Sequence, residues 1–206
     1  MKLVLVRHGE STWNVEGRYQ GRCDPPLSER GVAQAHAIAR RLKLASADQR
    51  PAAIVSSPLV RALSTARIIA SALGDLPVAT DARLIEIDHG DWQGKLLAEV
   101  EQAWPEELAA WRTRPESVKF NNGESLADVR SRWRDFCRAA GAYPSPLVVV
   151  THDVIVRLAV IDARGDELSA FNDFSIGNGS VTELGSRIND TSHLGELQSS
   201  LADQAL

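Results

Sequence analysis

The sequence predicts an α/β domain with three layers, in which helices cover both faces of a mostly parallel central sheet. Two observations lead to this fold class. Short runs of apolar and β-branched residues lack polar alternation, as expected for strands that are buried on both faces. Stretches with apolar residues at helical spacing follow these runs, and strands that alternate with helices favour parallel pairing through right-handed crossovers.

Four runs are predicted as strands, of which the last is the weakest: Leu3–Val6, Ala53–Val55, Leu147–Val150 and Ser180–Leu184. The main helices are predicted to begin close to four residues: Ser28, Leu59, Ser125 and His152. Serine at position 28 is a favourable N-cap. The second helix is expected to extend to Leu73, with Ser57 as its cap and Pro58 at its first position.

The segment from about 88 to 122 is less regular than the rest of the chain. It contains three of the five tryptophans, and prolines interrupt its helical stretches. We interpret it as a helical insertion that packs over the end of the sheet and forms part of a substrate lid. The 206 residues suit a single domain, so residues 1–206 are predicted to form one unit. The polar tail from Gly185 onward is expected to fray at its end.

The composition disfavours several functional classes. A net charge of −4 gives no positive field for nucleic acid or a membrane surface, so neither is expected as a partner. Apolar stretches of 18 residues are absent, and Cys23 and Cys137 form no CxxC pair, which together favour a reduced, cytoplasmic protein. The metalloprotease motif HExxH and the nucleotide motifs GxGxxG and GxxxxGK[ST] are also absent. No metal and no cofactor are therefore expected, and the oligomeric state stays open.

Cationic and titratable side chains follow the predicted strands. They therefore lie at the carboxyl ends of these strands, which is the edge where open α/β sheets bind ligands. Arg7 and His8 come directly after the first strand, and His152 follows the third. Arg61 lies in the first turn of the helix that leaves the second strand, while Glu86 lies in a loop between apolar residues. If these strands are adjacent, all five side chains converge on one pocket.

The order of motifs along the chain resembles the histidine phosphatase superfamily, in the branch of the phosphoglycerate mutases and their phosphatase relatives. The matching segments are Arg7–Ser11 with Trp13–Asn14, Tyr19–Gly21, Pro26–Ser28 with Gly31, Ser57–Leu59 with Arg61, Glu86 with Gly90 and Trp92, Gly123–Ser125, Thr151–His152 and Asn178–Ser180. Together they span nearly the whole chain.

The resemblance implies that His8 is the nucleophile and forms a phosphohistidine. A neutral imidazole can attack phosphorus, and we expect a backbone carbonyl to fix its tautomer. Arg7 and Arg61 are expected to hold the phosphoryl oxygens, with His152 completing the pocket as a cation. Glu86 is expected to act as the general acid, with a pKa raised by its apolar neighbours.

Four further residues are candidates for binding the substrate. Asn14 and the Gln20–Gly21 segment are expected to donate to the phosphate, and His89 either contacts the substrate or is a satisfied loop histidine. Gly9 is expected to let backbone N–H groups approach an oxyanion.

One position departs from the family pattern, because Asp153 follows His152 where many relatives have glycine. Its carboxylate is expected either to raise the pKa of His152 or to cap the following helix.

The favoured function is phosphomonoester hydrolysis of a small phosphorylated metabolite. The alternatives are a cofactor-dependent phosphoglycerate mutase and a non-catalytic module that binds a phosphorylated ligand. The mutase is less favoured because the stretch after Glu86 is short and acidic, and its basic residues form no cluster: Lys95, Arg112 and Arg114. The inert module is disfavoured because the full catalytic set is present.

Overall fold

A six-stranded sheet forms the centre of the computed structural model, which describes residues 1–199. Its strands are β1 (Leu3–Arg7), β2 (Ala53–Ser56), β3 (Val78–Thr80), β4 (Leu147–Thr151), β5 (Val181–Glu183) and β6 (Arg187–Asp190). Their order across the sheet is β3-β2-β4-β1-β5-β6. The first four strands in this order are parallel, whereas β5 and β6 pair antiparallel to their neighbours. The predicted mostly parallel sheet is confirmed.

Seven α-helices surround the sheet within the described residues. They are α1 (Thr12–Glu16), α2 (Glu29–Lys43), α3 (Val60–Ala72), α4 (Leu97–Ala103), α5 (Pro105–Thr113), α6 (Leu126–Ala140) and α7 (Asp153–Arg164). Ser28 and Ser125 cap α2 and α6 through their side chains, as expected. Short 3₁₀ turns connect several of these elements.

Alternate residues of the central strands belong to two separate cores. Val4 and Val6 of β1 pack with α2 and α3, whereas Leu5 between them packs with α6 and α7. The same alternation occurs in β4, where Val148 and Val149 face opposite cores. Both faces of the sheet are therefore covered, which is the reason that these strands read as continuous apolar runs.

The structure corrects the predicted start of α3. Helix α3 begins at Val60, and its first N–H donates to the carboxylate of Asp24 at 2.6 Å, so Ser57 is not its side-chain cap. Pro58 precedes the helix and does not occupy its first position.

Two short edge strands, β3 and β6, were not predicted. Three or four residues that are only partly buried leave too weak a pattern to detect. The part of the polar tail before residue 200 forms β6 and a 3₁₀ turn, and its predicted frayed end lies outside the described residues.

The segment from about 88 to 122 is helical, as predicted. It contains α4 and α5, and Pro105 begins the second of these helices. Its aromatic residues pack together, with the Phe120 ring 4.9 Å from Trp92 and 5.0 Å from Trp111 between centroids. These rings join the core on the α6–α7 side of the sheet. Its role as a lid stays a prediction.

Within residues 1–199, no helix combines the length and the apolar character needed to cross a bilayer.

The loop after β1 packs directly on the first turn of α2. The N–H of Ser28 donates to the carbonyl of Glu10 at 2.9 Å, and the Ser28 hydroxyl donates to its carboxylate at 2.8 Å. A Cβ at Gly9 would overlap the carbonyl of Gly31, and a Cβ at Gly31 would overlap the carbonyl of Glu10. Close backbone packing therefore requires glycine at position 9, and the approach of backbone N–H groups to an oxyanion there stays a prediction.

We predict that Gly31→Ala destabilises the protein by about 1–3 kcal/mol, because backbone atoms around the new methyl group cannot move aside without a shift of α2. Chemical denaturation measures the free energy of unfolding. The matched control is Gly141→Ala, whose Cβ would meet no atom within 4 Å and whose φ of −59° suits alanine. Equal stability of the Gly31 variant and the native chain would contradict the prediction.

Candidate active site

Three of the five catalytic candidates, Arg7, His8 and His152, lie at the carboxyl ends of β1 and β4, which are neighbours in the sheet. Arg7 is opposite Thr151 in the register of this pair, and the N–H of His8 donates to the Thr151 carbonyl at 3.0 Å. The residue after each strand is a histidine, so His8 and His152 lie side by side with ring centroids 5.1 Å apart. Parallel pairing thus joins residues that are remote in the sequence.

His8 is buried and held in one orientation. Its Nδ1 lies 2.7 Å from the carbonyl of Gly9, so this nitrogen carries the hydrogen and leaves the lone pair on Nε2. The expected backbone carbonyl partner is confirmed. Burial, followed by the charges of Arg61 and Arg7, lowers the pKa of His8 well below its usual value. The ring is therefore neutral, with Nε2 available as a nucleophile.

Arg61 faces the free nitrogen of His8 from the first turn of α3. Its Nε donates to His8 Nε2 at 3.2 Å. The other end of the guanidinium donates to the carbonyls of Cys23 and Gly21 at 2.7 and 2.8 Å. The chain reversal at residues 20–23 therefore aligns a fixed cation with the nucleophilic atom.

Arg7 provides the second buried cation of the site and is 4% exposed. Its Nη1 donates to the carbonyl of Ile176, while its Nε has no hydrogen-bond partner among the described residues. A buried N–H without a partner is costly, so this atom is suited to binding an anion. Burial lowers the pKa of Arg7, and the nearby carboxyl of Asp153 counteracts that effect.

His152 corrects one sequence expectation. Burial, together with the charge of Arg61, lowers the pKa of His152 well below its usual value, so the ring is neutral where a cation was expected. Its Nε2 lies 2.8 Å from the Ser57 hydroxyl, and its Nδ1 has no partner within the described part of the chain. The Asp153 carboxylate does not raise this pKa. The Asp153 carboxylate instead accepts hydrogen bonds from Arg157.

Glu86 lies at the same site on the loop that follows β3. Its carboxyl group is buried and accepts from the N–H of Ile87 at 3.0 Å. Burial raises the pKa of Glu86 to about 7, and the negative charge of Asp153 is the next largest cause. The expected rise is confirmed, and Glu86 can therefore hold or release a proton near neutral pH.

Arg132 of α6 fastens the loop that carries Glu86. Its guanidinium donates to the carbonyls of Arg83, Ile85 and Glu86 at 2.7, 2.5 and 3.1 Å, respectively. It also pairs with Glu124 at 3.1 Å. The position of the buried carboxyl is therefore set by a helix that carries no catalytic candidate.

Asn14 and Gln20 are oriented by Ser11. The Ser11 N–H donates to Asn14 Oδ1 at 3.0 Å, and its hydroxyl donates to Gln20 Oε1 at 2.7 Å. Asn178 also donates to Asn14 Oδ1, at 3.3 Å. With both carbonyl oxygens engaged, the amide NH₂ groups remain as donors. Gly21 instead turns its carbonyl toward Arg61, at a positive φ of 49°.

His89 is buried within an aromatic cluster. Its ring lies 5.5 Å from Tyr19, 4.9 Å from Phe120 and 6.1 Å from Trp111, between centroids. Burial lowers the pKa of His89 to about 3, and neither ring nitrogen has a partner among residues 1–199. The interpretation of His89 as a satisfied loop histidine is therefore wrong, and contact with substrate stays a prediction.

Sequence reasoning missed the residues that support the catalytic candidates. Ser57 lies in a quoted motif, but its hydrogen bond to His152 depends on the pairing of β2 with β4. Ser11 carried a detectable signal, because Ser11 and Asn14 form a capping box at the start of α1. Arg132 and Arg157 carried no signal beyond their charge. Within residues 1–199, no group of three or more acidic, histidine or cysteine side chains is placed to hold a metal ion.

Comparisons with known proteins point to one protein family. Residues 3–193 match the family model of the histidine phosphatase superfamily, branch 1. The chain is 41% identical over 206 residues to phosphoserine phosphatase 1 of Hydrogenobacter thermophilus, covering 95% of each protein.

Comparison with solved structures agrees with the comparison of sequences. The fold matches that of Bacillus stearothermophilus YhfR with a TM-score of 0.85 and 31% identity, over 94% of this chain and 98% of that one. A mycobacterial glucosyl-3-phosphoglycerate phosphatase matches with a TM-score of 0.79 and 33% identity, over 88% of both chains.

The chain belongs to the histidine phosphatase superfamily. The family resemblance and the fold expected from the motifs are confirmed. The protein is an enzyme of the metal-independent histidine phosphatase type, and its reaction is the hydrolysis of phosphomonoesters.

We predict that Arg132→Met lowers kcat/KM for an alkyl phosphate by about 10- to 100-fold, because the Glu86 loop loses three carbonyl bonds and the carboxyl group shifts from its working position. Steady-state kinetics on the purified variant measure the effect. Arg134→Met is the matched control, since this half-exposed neighbour on α6 pairs only with Asp162 in the described structure. An equal loss in both variants would refute a specific role for Arg132.

Proposed function

We propose that His8 Nε2 attacks the phosphorus of a phosphomonoester held between Arg7, Arg61 and His152. A P–N bond forms as the P–O bond to the leaving group breaks. Glu86 then protonates the departing alkoxide. The observation that carries this proposal is the alignment of a neutral, buried imidazole nitrogen with a fixed guanidinium group at 3.2 Å.

The second step regenerates the enzyme. A water molecule takes the place of the leaving group, and the Glu86 carboxylate accepts its proton as the oxygen attacks phosphorus. The P–N bond breaks, inorganic phosphate leaves and His8 is neutral again. A pKa of about 7 for Glu86 supports both roles, because the group donates a proton in one step and accepts one in the next.

Charge compensation in this proposal comes from two arginines and neutral donors. Arg7 has a buried N–H with no partner among residues 1–199, and Arg61 can transfer its Nε–H bond from His8 to a phosphoryl oxygen. His152 contributes as a neutral hydrogen-bond donor rather than as a cation. The amide groups of Asn14 and Gln20 add two further donors.

The substrate that we propose is a small phosphorylated metabolite. Relatives named for phosphoserine and glucosyl-3-phosphoglycerate support this class, since both compounds are phosphorylated small molecules. The segment from about 88 to 122, which includes His89, would act as the lid. Neither ring nitrogen of His89 has a partner in the described part of the chain, which supports a contact with the leaving group when that segment moves.

The mutase alternative has less support from the structure. Arg112, one of the basic residues after Glu86, is half-exposed and lies 3.6 Å from the carboxylate of Glu101. Its charge is therefore opposed by a neighbouring acid and is not committed to a substrate carboxylate.

We infer a cytoplasmic location. Both cysteines, Cys23 and Cys137, are free thiols, which supports a reducing compartment.

We predict that the wild-type enzyme mixed with a reactive phospho-donor carries an acid-labile phosphoryl group on His8, and that His8→Ala carries none and has no measurable turnover. Mass spectrometry of a rapidly quenched sample locates the group. His36→Ala is the control, because His36 is an exposed histidine of α2 and should leave the labelling intact. A label on another residue, or turnover that survives in His8→Ala, would overturn the proposal.

Glu86→Gln should slow hydrolysis of alkyl phosphates by about 100-fold or more, since alkoxides need the proton that glutamine cannot supply. Aryl phosphates, whose leaving groups are weaker bases, should lose less. In the wild type, kcat/KM for an alkyl substrate should fall as pH rises through about 7, where Glu86 loses its proton. The variant should lack this alkaline limb. Equal losses for alkyl and aryl substrates would count against Glu86 as the acid.

A further inference from the structure

Asp153 forms the centre of a buried group of three charges beside the active site. Its carboxylate accepts from Arg157 Nε through both oxygens, each at 3.0 Å, and Arg7 Nη1 lies 4.0 Å from its Oδ1. All three side chains are about 5% exposed or less. A carboxylate between two guanidinium groups in this setting has little freedom to turn away.

Arg157 is fixed on its other side. Its Nη1 donates to the carbonyls of Phe171 and Phe174 at 3.0 and 2.6 Å, and its guanidinium lies over the Phe171 ring at 5.0 Å. It lies four positions after Asp153 on α7, so the two side chains share one face of the helix. Arg157 therefore holds the carboxylate in a single position toward Arg7.

We propose that Asp153 is a positioning residue for catalysis, which couples the phosphate-holding Arg7 to the proton donor Glu86 through a carboxylate that Arg157 keeps in place. The inference rests on the proposed function and deepens it. Asp153 contacts no reacting atom. It acts through the orientation of Arg7 and through the negative charge that it places near Glu86.

The charged groups that act on Glu86 come from several elements. Arg7 of β1 and Arg61 of α3 favour its ionised form, while Asp153 of α7 opposes them. Arg132 of α6 binds the Glu86 backbone and is itself paired with Glu124. Among these groups, Asp153 is the negative charge that favours the protonated acid, and burial acts in the same direction.

The same carboxylate balances the cations. Arg7, Arg61 and Arg157 bring three positive charges to one buried region, and Asp153 reduces their sum to two. A phosphomonoester dianion then matches the remaining charge. An aspartate that merely favoured the N-terminus of α7 would not need to lie between Arg157 and Arg7.

The test compares the pH dependence of kcat/KM in the wild type and Asp153→Asn, with an alkyl phosphate as substrate. Without the carboxylate, Glu86 should lose its proton more easily, so the alkaline limb should move to lower pH by about half a unit to one unit. In the Glu86→Gln background, the same substitution should cause no shift. An unchanged limb in Asp153→Asn, or an equal shift without Glu86, would overturn the inference.

The matched control is Asp162→Asn. Asp162 lies on the same helix and also pairs with two arginines, Arg130 and Arg134, at 2.6 and 2.8 Å. It should lower stability and leave the alkaline limb in place. If it shifts the limb as far as Asp153→Asn does, the effect is one of total charge and the inference fails.

Two further measurements keep the result interpretable. If Asp153→Asn does not fold, Asp153→Asn/Arg157→Met leaves no buried Arg157 unpaired. It removes both charges together and should move the limb in the same direction by a smaller amount. Phosphohistidine on His8 is measured in every sample. A missing label in the wild type overturns the proposed function and this inference with it, whereas a normal label with an unchanged limb overturns only the role of Asp153.

Discussion

The burial of two guanidinium groups at the end of a parallel sheet is the constraint on which the site depends. Arg7 and Arg61 are 4% and 1% exposed, so each must find acceptors within the protein. Backbone carbonyls provide most of them: Ile176 for Arg7, and Gly21 with Cys23 for Arg61. The loops that supply these carbonyls are therefore shaped around the cations, and the cations are in place before a phosphate arrives.

Burial has opposite effects on the pKa values of the histidines and of Glu86. Desolvation disfavours charge, so it lowers the pKa of His8 and His152 and raises that of Glu86. The nearby arginines reinforce the effect on the histidines and oppose it on the glutamate. A neutral imidazole and a protonated carboxyl group therefore coexist near neutral pH, as the proposed nucleophile and acid require, and a solvent-exposed arrangement of these residues would not provide this combination.

The residues that hold the catalytic candidates in place form a second constraint, in addition to the burial of the two arginines. Ser11 orients two amides, Ser57 engages His152 and Arg132 fixes the Glu86 loop. Close packing of the loop after β1 on α2 restricts the backbone directly after His8. Phosphoryl transfer depends mainly on positioning and charge compensation. In this structure the positioning comes from groups that contact the catalytic candidates, whereas the proposed charge compensation comes from Arg7 and Arg61.

The sequence by itself determined the fold class, the main strands and the set of catalytic candidates. Continuous apolar runs arise because two cores cover the sheet, and the segments after those runs contain His8, Arg61 and His152, so these candidates could be found. Glu86 was found instead from its loop between apolar residues. Only the tertiary structure decided the charge of His152 and the partners of Asp153. Burial and side-chain pairing depend on neighbours that are remote in the chain. Ser57 is such a neighbour of His152, and Arg7 is such a neighbour of Asp153. The start of α3 was likewise not evident from the sequence, because the first N–H of this helix donates to a distant carboxylate, Asp24. A local pattern does not show which remote side chain will accept from the first turn of a helix.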